Sequence, residues 1–123
     1  MPTKDRVIVL SQTDVDPIEI GNGSWSRLVI TGESAGAGKA MLGISTFTPG
    51  TDTPQKVHEE EEFCYVISGC GRITVGPDYV EYGPGSFIYI PAGLPHGVSN
   101  PGTEDVVMVF GFSWPTYPPT TDA

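Results

Sequence analysis

Two histidines occur in the 123 residues, His58 and His96. The first stands in the stretch KVHEEEEFCYVISG, Lys56 to Gly69, with a lysine two positions before it and four consecutive glutamates behind it. The second closes PAGLPH, a Pro/Gly turn that fixes the backbone just before the imidazole. Imidazole and carboxylate together serve proton transfer or metal ligation. An acidic run by itself is ordinarily a solvated face, and a lone turn histidine an ordinary surface residue. Strand alternation separates one glutamate from the others. From Glu62 onward, Glu62, Cys64 and Val66 share one face while Phe63, Tyr65 and Ile67 share the other. A carboxylate at the head of the first face points towards an interior, where it must be neutralised, paired or metal-bound. Glu59, Glu60 and Glu61 are expected to face water.

The elements that must position these groups read as strands. Candidates are Val7–Leu10, Trp25–Thr31, Lys39–Thr48, Glu62–Ser68, Gly71–Val75, Tyr79–Tyr82, Ser86–Ile90, Gly97–Ser99 and Asp105–Phe112, rich in Val, Ile, Tyr and Phe. Turn clusters such as TGESAGAG, TPGTDTP, GPG and NPGTED separate them. No helical period is sustained, and Pro17 interrupts the one candidate near Thr13. Short, evenly spaced strands predict a sandwich or barrel. The Pro-rich tail, 115–123, cannot join a sheet interior and is read as a covering arm or a loose end.

The length suits one domain. A net charge of −9 with only six Lys and Arg argues against nucleic acid as a partner. No apolar run approaches the ~20 residues of a membrane span, so no membrane partner is expected. The first ten residues lack a signal-peptide core, which makes the cytoplasm the default location. Cys64 and Cys70 are too few for a disulfide scaffold and read as two reduced thiols.

Two segments resemble the paired motifs of the cupin superfamily. The first motif of that family spaces Gly, His, His, Glu and Gly. Here Gly50 is followed by Lys56, His58, Glu62 and Gly69 at matching intervals, so that motif 1 spans 50–69. The second spaces Gly, Pro, Gly, His and Asn. Gly85, Pro91, Gly93, His96 and Asn100 fill every place, so that motif 2 spans 85–100. The resemblance implies an all-β fold, an antiparallel double-stranded β-helix or jelly-roll β-barrel, over a single cupin domain at 1–123. It also implies metal-ligand roles for His58, Glu62 and His96. It departs from the family at one place: Lys56 stands where the first histidine belongs.

Two histidines and one carboxylate with open positions form a facial set that suits Fe, Zn, Mn, Ni or Co. Metal binding is favoured over a metal-free pocket in which Lys56 and Glu62 neutralise one another. Lys56 is expected to face inward with His58, as a base, a nucleophile or a clamp for a substrate anion, and Glu62 to share the catalysis. Arg27, Tyr89 and Phe47 are candidate substrate contacts, with Trp25 a further candidate for the cavity wall. Asn100 is expected to tie down the loop after His96, and Gly69, Gly85 and Gly93 to supply turn conformations. The leading expectation is a metalloenzyme acting on a small polar or oxygenated metabolite. Its chemistry would be that of a lyase, isomerase or cyclase, or of a non-haem iron dioxygenase. The alternative is a non-catalytic small-molecule binder, with or without metal. A homodimer paired through Phe63, Tyr65 and Ile67 is also expected.

Overall fold

The structure, a computed structural model, describes residues 6–123. It is built almost wholly of antiparallel strands. β1 (Ile18–Gly21), β2 (Ser24–Ile30), β3 (Met41–Phe47), β5 (Glu62–Ser68), β8 (Phe87–Ile90) and β10 (Val106–Phe112) form one six-stranded sheet in the order β1-β2-β3-β10-β5-β8. β6 (Gly71–Val75), β7 (Asp78–Tyr82) and β9 (Gly97–Ser99) form a second sheet in the order β7-β6-β9. A two-residue pairing joins β4 (Lys56–Val57) to β11 (Thr121–Asp122). This is the expected jelly-roll architecture.

Alternation builds the core. On β3 Met41, Ser45 and Phe47 point in while Leu42 is exposed; on β10 Val106, Met108, Phe110 and Phe112 point in. They meet Cys64 and Val66 of β5, Ile90 of β8, Ile73 of β6 and Tyr82 of β7 in one apolar cluster. Two glycines are required by this packing. A Cβ on Gly43 would lie 2.6 Å from the Arg27 carbonyl and 2.7 Å from the Phe110 ring. Gly69 has φ +85°, and its Cβ would lie 2.3 Å from the Asp105 carbonyl.

Some expectations need correction. Val7–Leu10 is not a strand: Val7 and Val9 lie in solvent, and the edge of β2 is taken by Ile18–Gly21 through the tight Gly21–Gly23 turn. TGESAGAG holds a single helical turn, α1 (Gly32–Ala35). There Thr31 and Ser34 cap one another reciprocally, at 3.1 Å and 2.9 Å. Before β1, Gln12–Asp14 forms one 3-10 turn, capped in the same manner by Ser11. The outer face of β5 is open: Phe63, Tyr65 and Ile67 are exposed, as are Phe87 and Tyr89 of β8 beside them. Both cysteines are free thiols, as expected. No helix among the described residues is long and apolar enough to cross a membrane.

Candidate functional site

Between the sheets lies a cavity of about 360 Å³. Its walls are largely apolar, including Ile73, Ile90, Met108, Phe110 and Phe112, with Ser26 and Ser45 on one side and His58, Glu62 and His96 gathered together. Glu62 opens β5 on the face of Cys64 and Val66, as alternation requires. His58 lies in the loop between β4 and β5, and His96 immediately precedes β9, so the three residues join segments of both sheets.

Their ligand atoms lie within 4.8 Å of one another. Glu62 Oε1 is 3.4 Å from His58 Nε2 and 3.3 Å from His96 Nε2. On the far side of each ring a backbone carbonyl takes the other nitrogen: His58 Nδ1 donates to the Glu60 carbonyl at 2.9 Å and His96 Nδ1 to the Leu94 carbonyl at 2.8 Å. The carbonyls assign the ring protons to Nδ1 and leave both Nε2 lone pairs aimed at a carboxylate oxygen. Three acceptors thus converge on one point. That is stable only if positive charge arrives, as protons on the rings or as a metal cation. The donor set therefore fits a divalent transition metal.

The same geometry sets the ionisation of the metal-free cluster. The hydrogen bond to Glu62 is the main influence on His58 and, against the cost of burial, raises its pKa. Burial works against protonating His96, yet its bonds to Glu62 and the Leu94 carbonyl prevail and raise it too. Burial alone would raise Glu62, but the two imidazoles outweigh it and hold the carboxyl below its ordinary value. Cys64 lies beside this cluster, its thiol donating to Glu62 Oε2 at 3.5 Å, and burial pushes its pKa far up, so it stays protonated.

Lys56 is placed differently from the expectation. Its backbone pairs with His96 in both directions, at 2.9 Å and 3.1 Å, and the side chain borders the cavity. The ammonium turns to the rim, however, and pairs with Asp122 at 3.1 Å. The Lys56–Glu62 pair of the metal-free alternative is not formed, because Glu62 is already occupied by two imidazoles. Phe47 does line the cavity, but Arg27, Tyr89 and Trp25 do not. Arg27 alternates with the cavity-lining Ser26 and Leu28, so period two turns it outward, where it donates to the Gln12 and Val15 carbonyls at 3.3 Å and 2.7 Å. Tyr89 is outward for the same reason, between Ile88 and Ile90, and donates to the Glu61 carboxylate. The three glutamates before Glu62 are not uniformly solvated: Glu59 is exposed, while Glu60 and Glu61 are half-buried. Asn100 does tie its loop, donating to the Phe47 and Glu104 carbonyls and accepting from Gly102.

Two residues at the mouth escaped sequence reasoning. Tyr117, in the Pro-rich tail, lines the cavity and packs edge-on against Phe112 at 5.3 Å. Phe112 packs in turn against His58 at 5.0 Å. Asp122 holds Lys56. Neither had a signal, since a tail with three prolines has no strand period to assign its faces.

The family model described as "Cupin domain" matches residues 43–112, which include Lys56 and all three clustered residues. An uncharacterized protein of Streptomyces coelicolor is 35% identical over 74 residues, covering 60% of this chain and 70% of that protein. The dimethylsulfoniopropionate lyase DddW of Ruegeria pomeroyi is 31% identical over 93 residues, 76% of this chain and 60% of the lyase. Among solved structures, the polyketide cyclase RemF of Streptomyces resistomycificus superposes with a TM-score of 0.81 at 26% identity. That likeness covers 96% of this chain and 86% of the cyclase. With the family model covering more than half of it, the chain belongs to the cupin family.

Proposed function

We propose that the protein is a metal-dependent enzyme of non-redox type, acting on an oxygenated substrate that carries substantial apolar surface. The observation that carries this reading is the convergence of His58 Nε2, His96 Nε2 and Glu62 Oε1 on one point, each ring locked from behind by a carbonyl. Those three residues would hold one divalent ion. When bound, it would supply Lewis acidity to a substrate carbonyl or enol oxygen. The apolar walls select for hydrophobic bulk and exclude water from the reacting end, which sharpens the expected polar metabolite into one with a large apolar part. Glu62 is the proposed carboxylate through which a proton leaves or returns, since its Oε2 is engaged only by a weak thiol donor. Lys56, whose ammonium is paired with Asp122 at the rim, is assigned no part in binding or chemistry. Likeness to a polyketide cyclase and to a lyase supports carbon–carbon or elimination chemistry over oxygenation.

The test is metal analysis of protein purified without a chelating tag. It is followed by exchange of the α-protons of 1-phenyl-1,3-butanedione in deuterated buffer, read by proton NMR. Near-stoichiometric zinc, manganese or nickel with accelerated exchange, both lost in His96→Ala, is the expected result. Metal content near zero even after reconstitution would overturn the reading. Bound metal and bound diketone without exchange would favour the non-catalytic binder, and oxygen uptake with iron the dioxygenase.

A further inference from the structure

The segment 113–123 lies beyond the family match, and one of its residues, Tyr117, lines the cavity. Its near end is firmly held. The Ser113 N–H donates to the Glu61 carbonyl at 3.2 Å, the Ser113 hydroxyl accepts from the Glu61 N–H at 3.1 Å, and the Pro115 carbonyl accepts from Gly32 at 2.7 Å. The far end is held lightly. Thr121 and Asp122 pair with Val57 and Lys56 over two residues, and the Ala123 N–H donates to the Gln55 carbonyl at 3.2 Å. Among the described residues, the one side-chain fastening there is the Lys56–Asp122 ion pair, whose side chains are 47% and 88% exposed. A solvated pair on a two-residue ladder is the kind of contact that opens first in local unfolding. Between the two ends, Tyr117 faces the cavity. Lys56 cannot follow the arm outward, because its own backbone is bonded on the other side to His96.

We propose that residues 113–123 are a gate over the cavity, hinged at Ser113–Pro115 and latched by Lys56 and Asp122, and that Tyr117 is the gate residue that touches the ligand and limits its size. On this reading the lysine in the ligand position of motif 1 is a latch, and the cavity is closed by a part of the chain outside the family's common core. The proposal rests on the cavity being the ligand site. It does not rest on metal or on turnover.

Hydrogen exchange by mass spectrometry and stopped-flow binding of 2-naphthol test it in the full chain. Removing the latch charge in Asp122→Asn or Lys56→Met should speed exchange of peptides covering 115–123 and Lys56–Val57 by about two- to fivefold, the size expected for an exposed ion pair. Peptides from β5 and β10 should be unchanged. Entry and release of 2-naphthol should both accelerate in these variants by a similar factor, leaving affinity nearly as it was. Tyr117→Ala should weaken 2-naphthol and admit the larger 9-hydroxyanthracene, while Tyr117→Phe should keep the wild-type preference. Unchanged exchange and rates in both latch variants would overturn the gate. An unchanged size limit in Tyr117→Ala would overturn the role of the tyrosine. If 2-naphthol bound no variant, the cavity would not be the ligand site and the gate would fall with it. Loss of metal with naphthol binding intact would instead sink only the metalloenzyme reading.

Discussion

Replacing Glu62 by glutamine should change the sign of its effect with pH in the metal-free protein. Both histidines have folded pKa values raised above their ordinary 6.5. Their contribution to stability is therefore fully present below that pH and is lost as pH rises through the raised values. Glu62 is held below its ordinary 4.5, so its contribution is present above that pH and is lost as pH falls through the lowered value. The cluster is thus worth most between about pH 4.5 and 6.5. At pH 5.5 Glu62→Gln removes two charge-assisted contacts of 3.4 Å and 3.3 Å. Both are long, so each is worth about 1.5 kcal/mol, and relief of the buried carboxylate offsets part, leaving a net loss of about 2 kcal/mol. An unfolding entropy of about 2.1 cal/mol/K per residue over 123 residues turns that into a fall in Tm of about 8 °C. As pH rises through the raised values the rings become neutral and three acceptors face one another. An amide, which can donate to one Nε2, should then be neutral or stabilising. Scanning calorimetry of chelator-treated protein at the two pH values is the assay. An equal loss at both, or a wild type that gains stability on going from pH 5.5 to 8, would refute the converging-acceptor account. Adding zinc at pH 8 should restore the wild type, by about 4 kcal/mol at a thousandfold excess over Kd, and do far less for the variant.

Lys56→Met should leave zinc affinity within about threefold of wild type in a competition titration, because a surface pair contributes at most about 1 kcal/mol and the ammonium is spent on Asp122. A hundredfold loss would place the lysine in the ion's own environment instead. Gly69→Ala should cost more than about 2 kcal/mol, read by urea unfolding, since the new methyl meets a backbone carbonyl at a positive φ. The apolar outer face of β5 and β8, where Phe87 is 84% exposed, is the surface proposed for pairing two copies of the chain. Phe87→Glu should convert a dimer to a monomer in sedimentation velocity, and a wild type already monomeric at high concentration would refute that pairing.

Most of the barrel was legible because its strands alternate and its turns carry Gly or Pro. β5, β6 and β9 begin and end where the residue pattern placed them, and β3 and β10 differ only at their ends. The three clustered residues were legible from spacing, and Glu62 from its place at the head of an apolar face. Legibility failed where a side chain's direction depended on a partner distant in sequence. Arg27 and Tyr89 each lie one position from a cavity residue, and a period of two leaves the choice of face to the register with neighbouring strands. Lys56 was assigned to the interior by its neighbour His58, whereas Asp122, 66 residues away, draws its ammonium to the rim. β11 and Tyr117 had no pattern at all, because proline-rich chain takes its place from what it covers.

His58, Glu62 and His96 sit where a loop, the six-stranded sheet and the segment entering the three-stranded sheet come together. An ion held by all three would act as a removable rivet between the two halves of the barrel. The sheets could not separate without breaking a coordinate bond, so metal should slow unfolding itself and not merely shift its equilibrium. Persistence under protease or heat would then be set by the supply of metal. A cell could clear the empty barrel quickly while the loaded one endured.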